Sequence, residues 1–312
     1  MTPANSAISA RALSKRFKPS LPPAVDNLDI EVDIGESVAF LGPNGAGKST
    51  TIKMLCGILA PDQGEARILG EVAGSKKANL HLGLVFGARS QLYFHMTIEQ
   101  CLLLQAETYY VAGKEQKPRI EKLAEIFGAR HLLPKRVREL SLGERMRCEI
   151  VASLVHRPKV ILLDEPTIGL DIAAKLKLRE SLKAWQREEK TTMLLTSHDL
   201  SDVEALCDRC ILINHGVKAY DGQLENVKGD LAGVRRVRLI LREPSDNELA
   251  RLPGLTERAS ENPLEKCFEF RLESTPLPKV MEILSANYSS LLQDIQIEGV
   301  RLEEVIQKHY GH

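Results

Sequence analysis

The chain has 312 residues, its 42 Lys and Arg balance 42 Asp and Glu, and 43% of it is hydrophobic. That length exceeds the roughly 250 residues one core comfortably fills, so a principal domain with a smaller companion is expected. Balanced charge argues against a nucleic-acid partner. No apolar run approaches the roughly 18 residues of a membrane span, and residues 1–16 lack the apolar centre of a signal peptide. The expectation is therefore a cytoplasmic chain whose membrane pathway, if it serves one, lies in another polypeptide.

Residues 8–34 read as two or three strands. Ser37-Val38-Ala39-Phe40-Leu41 is a short apolar run without helical period, bounded by Gly35 and Gly42, and reads as a buried strand. The turn Gly42-Pro43-Asn44-Gly45-Ala46-Gly47 then opens a helix at about Lys48, followed by Ser49 and Thr50. Gly45 and Gly47 let the backbone curl so that successive N–H groups point at a polyphosphate, and the helix N-terminus adds partial positive charge. In such a loop Lys48 meets the β- and γ-phosphates and the Ser49 hydroxyl ligates Mg²⁺. A Gly-rich turn beside an ordinary lysine is the bland alternative; a strand before and a helix after favour the phosphate loop.

Further strands are expected over 64–69 and 82–86. From about 97 to 138 the apolar positions recur at helical spacing, with Ile120, Leu123, Ala124 and Phe127 on one face. Leu140-Ser141-Leu142-Gly143-Glu144 carries a Ser-x-x-Glu capping box, announcing a helix over about 143–156 whose N-terminus is itself an anion site. Val160-Ile161-Leu162-Leu163-Asp164-Glu165-Pro166 looks like a central parallel strand delivering its carboxylates at the C-terminal sheet edge. There Asp164 can support Mg²⁺. Glu165 can polarise a water for attack on a γ-phosphate, a general-base role of roughly 10²–10⁴ in rate. An acidic pair capping the next helix is the competing reading. Helices at about 173–188 and 201–206 alternate with strands at 192–195 and 210–213, continuing to Tyr220, as in a doubly wound α/β domain.

After about residue 225 the pattern changes. Strand-like runs at 237–241, 267–272 and 291–297 alternate with helix-like ones at 277–286 and 302–309, and Pro244, Pro253, Pro263, Pro276 and Pro278 mark turns. This reads as a small α+β domain. It holds 12 Lys and Arg against 15 Asp and Glu, unlike a nucleic-acid-binding tail, and Arg235, Arg236 and Arg238 read as a solvated strand edge. Cys207 and Cys210 have metal-like spacing, but no second pair completes a site.

The order and spacing of GPNGAGKST, LSLGE and VILLDEP resemble the ATP-binding-cassette (ABC) ATPases, in particular single-cassette subunits that pair with a separate, ABC-2-like permease and often serve export. The resemblance covers about residues 6–224. It implies a P-loop NTPase cassette domain over 1–224 with an antiparallel β flank and a helical subdomain at about 97–156, leaving 225–312 as the α+β accessory domain. It further implies an ATPase using ATP and Mg²⁺, two copies bound head to tail around two nucleotides, and attachment to the inner face of the cell membrane through the permease.

Residue by residue, the resemblance makes His198 the group that contacts the γ-phosphate and orients the attacking water. Asp171 falls in the loop that crosses the dimer interface, and Ser141 and Gly143, with Glu144 beside them, act on the partner's ATP. Phe17 stands where an aromatic stacks on adenine, although an ordinary exposed Phe fits as well. Two departures stand out. Leu142 and Glu144 alter the usual LSGGQ, and Ala88 occupies the place of a glutamine that links Mg²⁺ and water to the permease, with Gln91 three residues on as a possible substitute. The alternative function is a soluble cassette ATPase acting on a ribosome, DNA or an assembly scaffold. Ribosome-acting members carry two cassettes and DNA-repair members long insertions, and this chain has neither. A GTP switch lacks its Asn-Lys-x-Asp.

Overall fold

In the computed structural model, which describes residues 6–87, 90–227, 234–244, 255–258, 262–272 and 275–299, the chain divides into two compact units, Met1–Gln223 and Leu224–His312. The first opens with two antiparallel strands, β1 (Ser6–Lys15) and β2 (Val25–Asp33). Along β2 the buried residues Val25, Leu28, Ile30 and Val32 sit among exposed polar ones, as one-sided burial of a strand requires. After β3 (Ser37–Leu41) and α1 (Lys48–Leu55), the strands β4 (Gln63–Ile68) and β5 (Glu71–Val72) complete an antiparallel sheet ordered β2-β1-β4-β5.

A short α2 (Lys76–Asn79) leads into β6 (Leu82–Phe86), and three helices follow: α3 (Ile98–Thr108), α4 (Gly113–Ile126) and α5 (Leu142–Leu154). Helix α3 starts with a reciprocal capping box between Thr97 and Gln100. Ile120, Leu123, Ala124 and Phe127 are all buried, as their spacing required. The chain then alternates β7 (Val160–Asp164), α6 (Ile172–Glu189), β8 (Thr192–Thr196), α7 (Leu200–Leu206), β9 (Arg209–Asn214) and β10 (Val217–Gln223). The six-stranded sheet runs β10-β9-β3-β8-β7-β6, parallel throughout except for β10 at its edge.

Register in this sheet positions the chemistry. Phe86 of β6 stands opposite Asp164 of β7, and Asp164 opposite Thr196 of β8, so three loops leave the same edge at one level. The loop after β3, the strand that precedes the Gly-rich turn, leaves in the same direction because β3 is parallel to β8. Strands β7 and β8 are buried on both faces except at the last residue of β7, which explains their unbroken apolar runs. A core of Ile8, Leu28, Phe40, Ile52, Leu162 and neighbours joins β1, β2, β3, α1 and β7.

The second unit contains α8 (Leu224–Val227), β11 (Val234–Leu241), β12 (Leu255–Arg258), β13 (Glu265–Arg271), α9 (Leu277–Tyr288) and β14 (Leu292–Gly299). Its sheet is ordered β12-β13-β11-β14 and is antiparallel. Val237, Leu239, Phe268 and Phe270 of the sheet pack with Val280, Leu284 and Tyr288 of α9 in a core of their own. Strand β12 was not expected from the sequence. The helix expected over 302–309 lies outside the described residues. Arg236 pairs with Glu269 at 2.6 Å, a salt bridge across neighbouring strands in place of an open basic patch.

Because every strand of both sheets in the first unit lies before Leu224, a chain ending at Gln223 is expected to fold cooperatively and keep its ATP affinity within about twofold. Calorimetry and nucleotide titration check this; an aggregated or non-cooperative product would contradict it.

Candidate nucleotide-binding site

The Gly-rich turn between β3 and α1 has the shape its residues predict. Gly45 and Gly47 have φ of 81° and 106°, in the left-handed region that favours glycine. A Cβ on Gly47 would come within 2.3 Å of the Ala24 carbonyl oxygen, so the strand entry at Ala24 presses directly on the turn. Ala46 is buried and its carbonyl accepts the Gly216 N–H at 3.0 Å, whereas Asn44, Gly45 and Ser49 are exposed and Thr50 partly so. Lys48 is the first residue of α1 and is buried; its ammonium donates to the carbonyls of Gly42 at 2.6 Å and Pro43 at 3.1 Å. Burial lowers its pKa, and the nearby Glu165 and Asp164 carboxylates oppose that shift. The ammonium is therefore held by the loop carbonyls within electrostatic reach of the acidic strand end.

Across from the loop, Asp164 Oδ1 accepts the Thr196 hydroxyl at 2.6 Å, and the same hydroxyl oxygen accepts the Glu165 N–H at 3.1 Å. Glu165 itself has φ of 56°, a left-handed conformation costing about 1–3 kcal/mol for a residue with a side chain. The turn holds it: the Glu165 N–H also reaches the Thr196 carbonyl at 3.1 Å, and its carbonyl packs where a Cβ on Gly87 would come within 2.3 Å. Glu165 Oε2 accepts the His198 backbone N–H at 3.1 Å. Oε1 lies 3.4 Å from His198 Nε2 and, among the described residues, is buried without a hydrogen-bond partner. Burial raises the Glu165 pKa, with His198 and then Lys48 acting against it. A carboxylate with one unsatisfied oxygen beside an imidazole can accept a proton from a water placed between them. Glu165 and His198 are legible in the sequence, whereas Thr196 is not singled out there; its only signal is a hydroxyl at the end of an apolar strand.

Helix α5 opens on the LSLGE signature, and its Glu144 carboxylate is held by the helix's own cap. Ser141 Oγ accepts the Glu144 N–H at 3.3 Å and Glu144 Oε2 accepts the Ser141 N–H at 2.9 Å, while Lys135 lies 3.4 Å from Oε1. The side chain thus folds back onto its own cap, and these donors lower its pKa. A Cβ on Gly143 would meet Ala174 at 3.5 Å and Leu170 at 3.6 Å, and one on Gly169 would come within 2.7 Å of the Leu142 side chain. The signature and the loop ending at Asp171 are therefore neighbours. Asp171 Oδ1 caps α6 by accepting the Ala174 N–H at 2.8 Å. Phe17 is 61% exposed, on the segment that runs from β1 toward Ala24 and the Gly-rich turn.

Gln91 is corrected as a substitute for the missing loop glutamine. Its amide nitrogen donates to the Glu149 carbonyl at 3.0 Å and more weakly to that of Leu84 at 3.4 Å, and its backbone N–H donates to the Glu149 carboxylate at 3.1 Å. These bonds tie the segment to α5 instead of to Asp164 or Glu165. Ala88 lies outside the described residues. Cys207 and Cys210 are buried thiols whose pKa burial raises, that of Cys210 to about 12, which suits neither metal ligation nor redox exchange. Among the described residues no group of three or more His, Cys, Asp or Glu could by itself hold a metal ion. The Ser49 hydroxyl and Asp164 carboxylate are hard oxygen donors, a set that fits Mg²⁺, which takes one or two protein oxygens and completes its shell with phosphate and water.

A phosphate loop, a strand-end acidic pair and a capped helix of signature type define a P-loop ATPase cassette. An ABC transporter family profile matches residues 25–168. The chain is 38% identical over 218 residues to the ABC transporter ATP-binding protein NatA of Bacillus subtilis, covering 69% of this chain and 88% of that protein. It is 30% identical over 308 residues to the daunorubicin resistance ATP-binding protein DrrA3 of Streptomyces coeruleorubidus, covering 97% and 92%. Among solved structures, cbiO1 of Clostridium perfringens, part of the ABC transporter complex cbiONQ, superposes with a TM-score of 0.65 at 27% identity, covering 73% of this chain and 92% of that one. The chain belongs to the ABC transporter ATPase family: it is an ATP-binding, ATP-hydrolysing transporter subunit.

The Ala88 methyl can neither ligate a cation nor bond a water, and Gln91 is engaged elsewhere. Ala88→Gln is therefore expected to raise kcat severalfold while ATP affinity changes by less than about twofold, since the gain belongs to the transition state. Gln91→Ala is expected to leave that gain intact. Steady-state kinetics of both variants, with ATP titrations, checks the pair.

Proposed function

We propose that this chain powers a separate membrane permease, with two copies closing head to tail around two ATP and two Mg²⁺. Lys48 and the backbone N–H groups of residues 44–50 bind the phosphates, Phe17 stacks on the adenine, and Ser49 and Asp164 hold Mg²⁺, which when bound neutralises phosphate charge. Glu165 accepts the proton of the attacking water and His198 orients that water against the γ-phosphate. Ser141 and Gly143 of one copy, with Asp171 beside them, complete the site of the other. The observation that carries this reading is the convergence of Lys48, Asp164, Glu165 and His198 on one sheet edge, with Glu165 Oε1 buried and, among the described residues, unsatisfied.

Among the described residues no helix is long and apolar enough to cross a membrane, consistent with a permease in another polypeptide. The likeness to a relative named for daunorubicin resistance supports export, because resistance to a drug is served by removing it. On this reading the chain works at the cytoplasmic face of the membrane, held there by the permease. The accessory unit after Gln223 adds contacts or regulation around that assembly.

Glu165→Gln keeps the shape of the site and removes its base. The variant is expected to bind ATP normally, hydrolyse it at least about 10²-fold more slowly, and run as a dimer in Mg-ATP. Light scattering after gel filtration reads the dimer; a monomer with ATP demonstrably bound would contradict closure around nucleotide.

A further inference from the structure

Asp202 on α7 is a fully buried acidic residue, and no motif accounts for it. Its carboxylate accepts hydrogen bonds from the hydroxyl of Thr167, from the hydroxyl of Ser197 at 2.8 Å, and from Arg179 Nε at 2.5 Å. The donors come from three segments. Thr167 lies two residues beyond Glu165, Ser197 immediately precedes His198, and Arg179 stands on α6, the helix capped by Asp171. Arg179 also reaches Asp199 at 3.2 Å, so the network extends to the residue on the other side of His198.

A buried carboxylate tolerates little movement among its partners, because any donor that leaves exposes an unsatisfied charge in a poorly solvating interior. Stability alone does not require this polar set, since apolar groups of similar volume in place of all its members fill such space about as well. What the arrangement does fix is the separation of two loops. One carries Glu165 and the other His198, and Oε1 of the first lies 3.4 Å from Nε2 of the second.

We propose that Asp202 is a positioning residue for ATP hydrolysis, which clamps Thr167 to Ser197 and so sets His198 against Glu165. The proposal rests on the role given above to His198. A shift of one loop would disturb the placement of the attacking water while leaving the phosphate loop, which Asp202 does not touch, free to bind ATP.

The test is a double-mutant cycle in the full chain, comparing Asp202→Asn, His198→Ala and the double variant by kcat, KM, ATP affinity and thermal midpoint. Asp202→Asn is expected to lower kcat at least about tenfold with ATP affinity changed less than about twofold, and to change kcat by less than about twofold when His198 is already Ala. Equal losses in both backgrounds, or an unchanged kcat, would overturn the proposal while leaving His198 its role. An inert His198→Ala would remove the role of His198 itself and the clamp with it, a failure visible in that single variant. Should Asp202→Asn not fold, Thr167→Val and Ser197→Ala each take one hydroxyl from the carboxylate, and the same loss of kcat, absent in the His198→Ala background, is expected of both; losses undiminished there would again overturn the clamp.

Discussion

The Thr196 hydroxyl is the joint on which the site depends. It donates to Asp164 and accepts from the Glu165 N–H, so the ends of β7 and β8 are locked at the level where both carboxylates emerge. The parallel register that sets Asp164 opposite Thr196 makes this bond possible, and the burial of both strands on both faces makes the register hard to slip. The strained backbone of Glu165 persists because this joint and the close approach of Gly87 hold it. Fold and chemistry are thus coupled through one buried hydroxyl.

Local capping and the proposed nucleotide site share residues in this chain. Ser141 and Glu144 close a reciprocal capping box, which pins the Glu144 carboxylate on the N-cap N–H of α5, where Lys135 at 3.4 Å offsets part of its charge. Asp171 likewise caps α6 at the end of a loop that lies against the LSLGE segment.

Much of this was legible in the sequence because the signals are local. The strand, turn and helix around Lys48, the apolar run ending in Asp164 and Glu165, and the helical period around Ile120 each follow from neighbours in the chain. What stayed hidden depends on contacts between distant segments. Ser90 and Gln91 meet Glu149, and Thr167 meets Asp202, only once the sheet has set its strand order. Gln91 looked free to stand in for a glutamine at position 88 because a loop residue's partners cannot be read from its neighbours. Strand β12 escaped notice because four residues, Leu255–Arg258, are too short to show a period.

The central claim is that each nucleotide site draws on two copies of the chain, the phosphate loop of one and the signature of the other. Mixing Lys48→Ala chains with Ser141→Arg chains, each inactive alone, tests it most directly. In a mixed dimer one site carries both defects and the other carries neither. Equal mixing is therefore predicted to restore about a quarter of the wild-type ATPase rate, since half the dimers are mixed and one of their two sites is intact. A mixture as inactive as either variant alone, while still dimerising, would contradict the shared site.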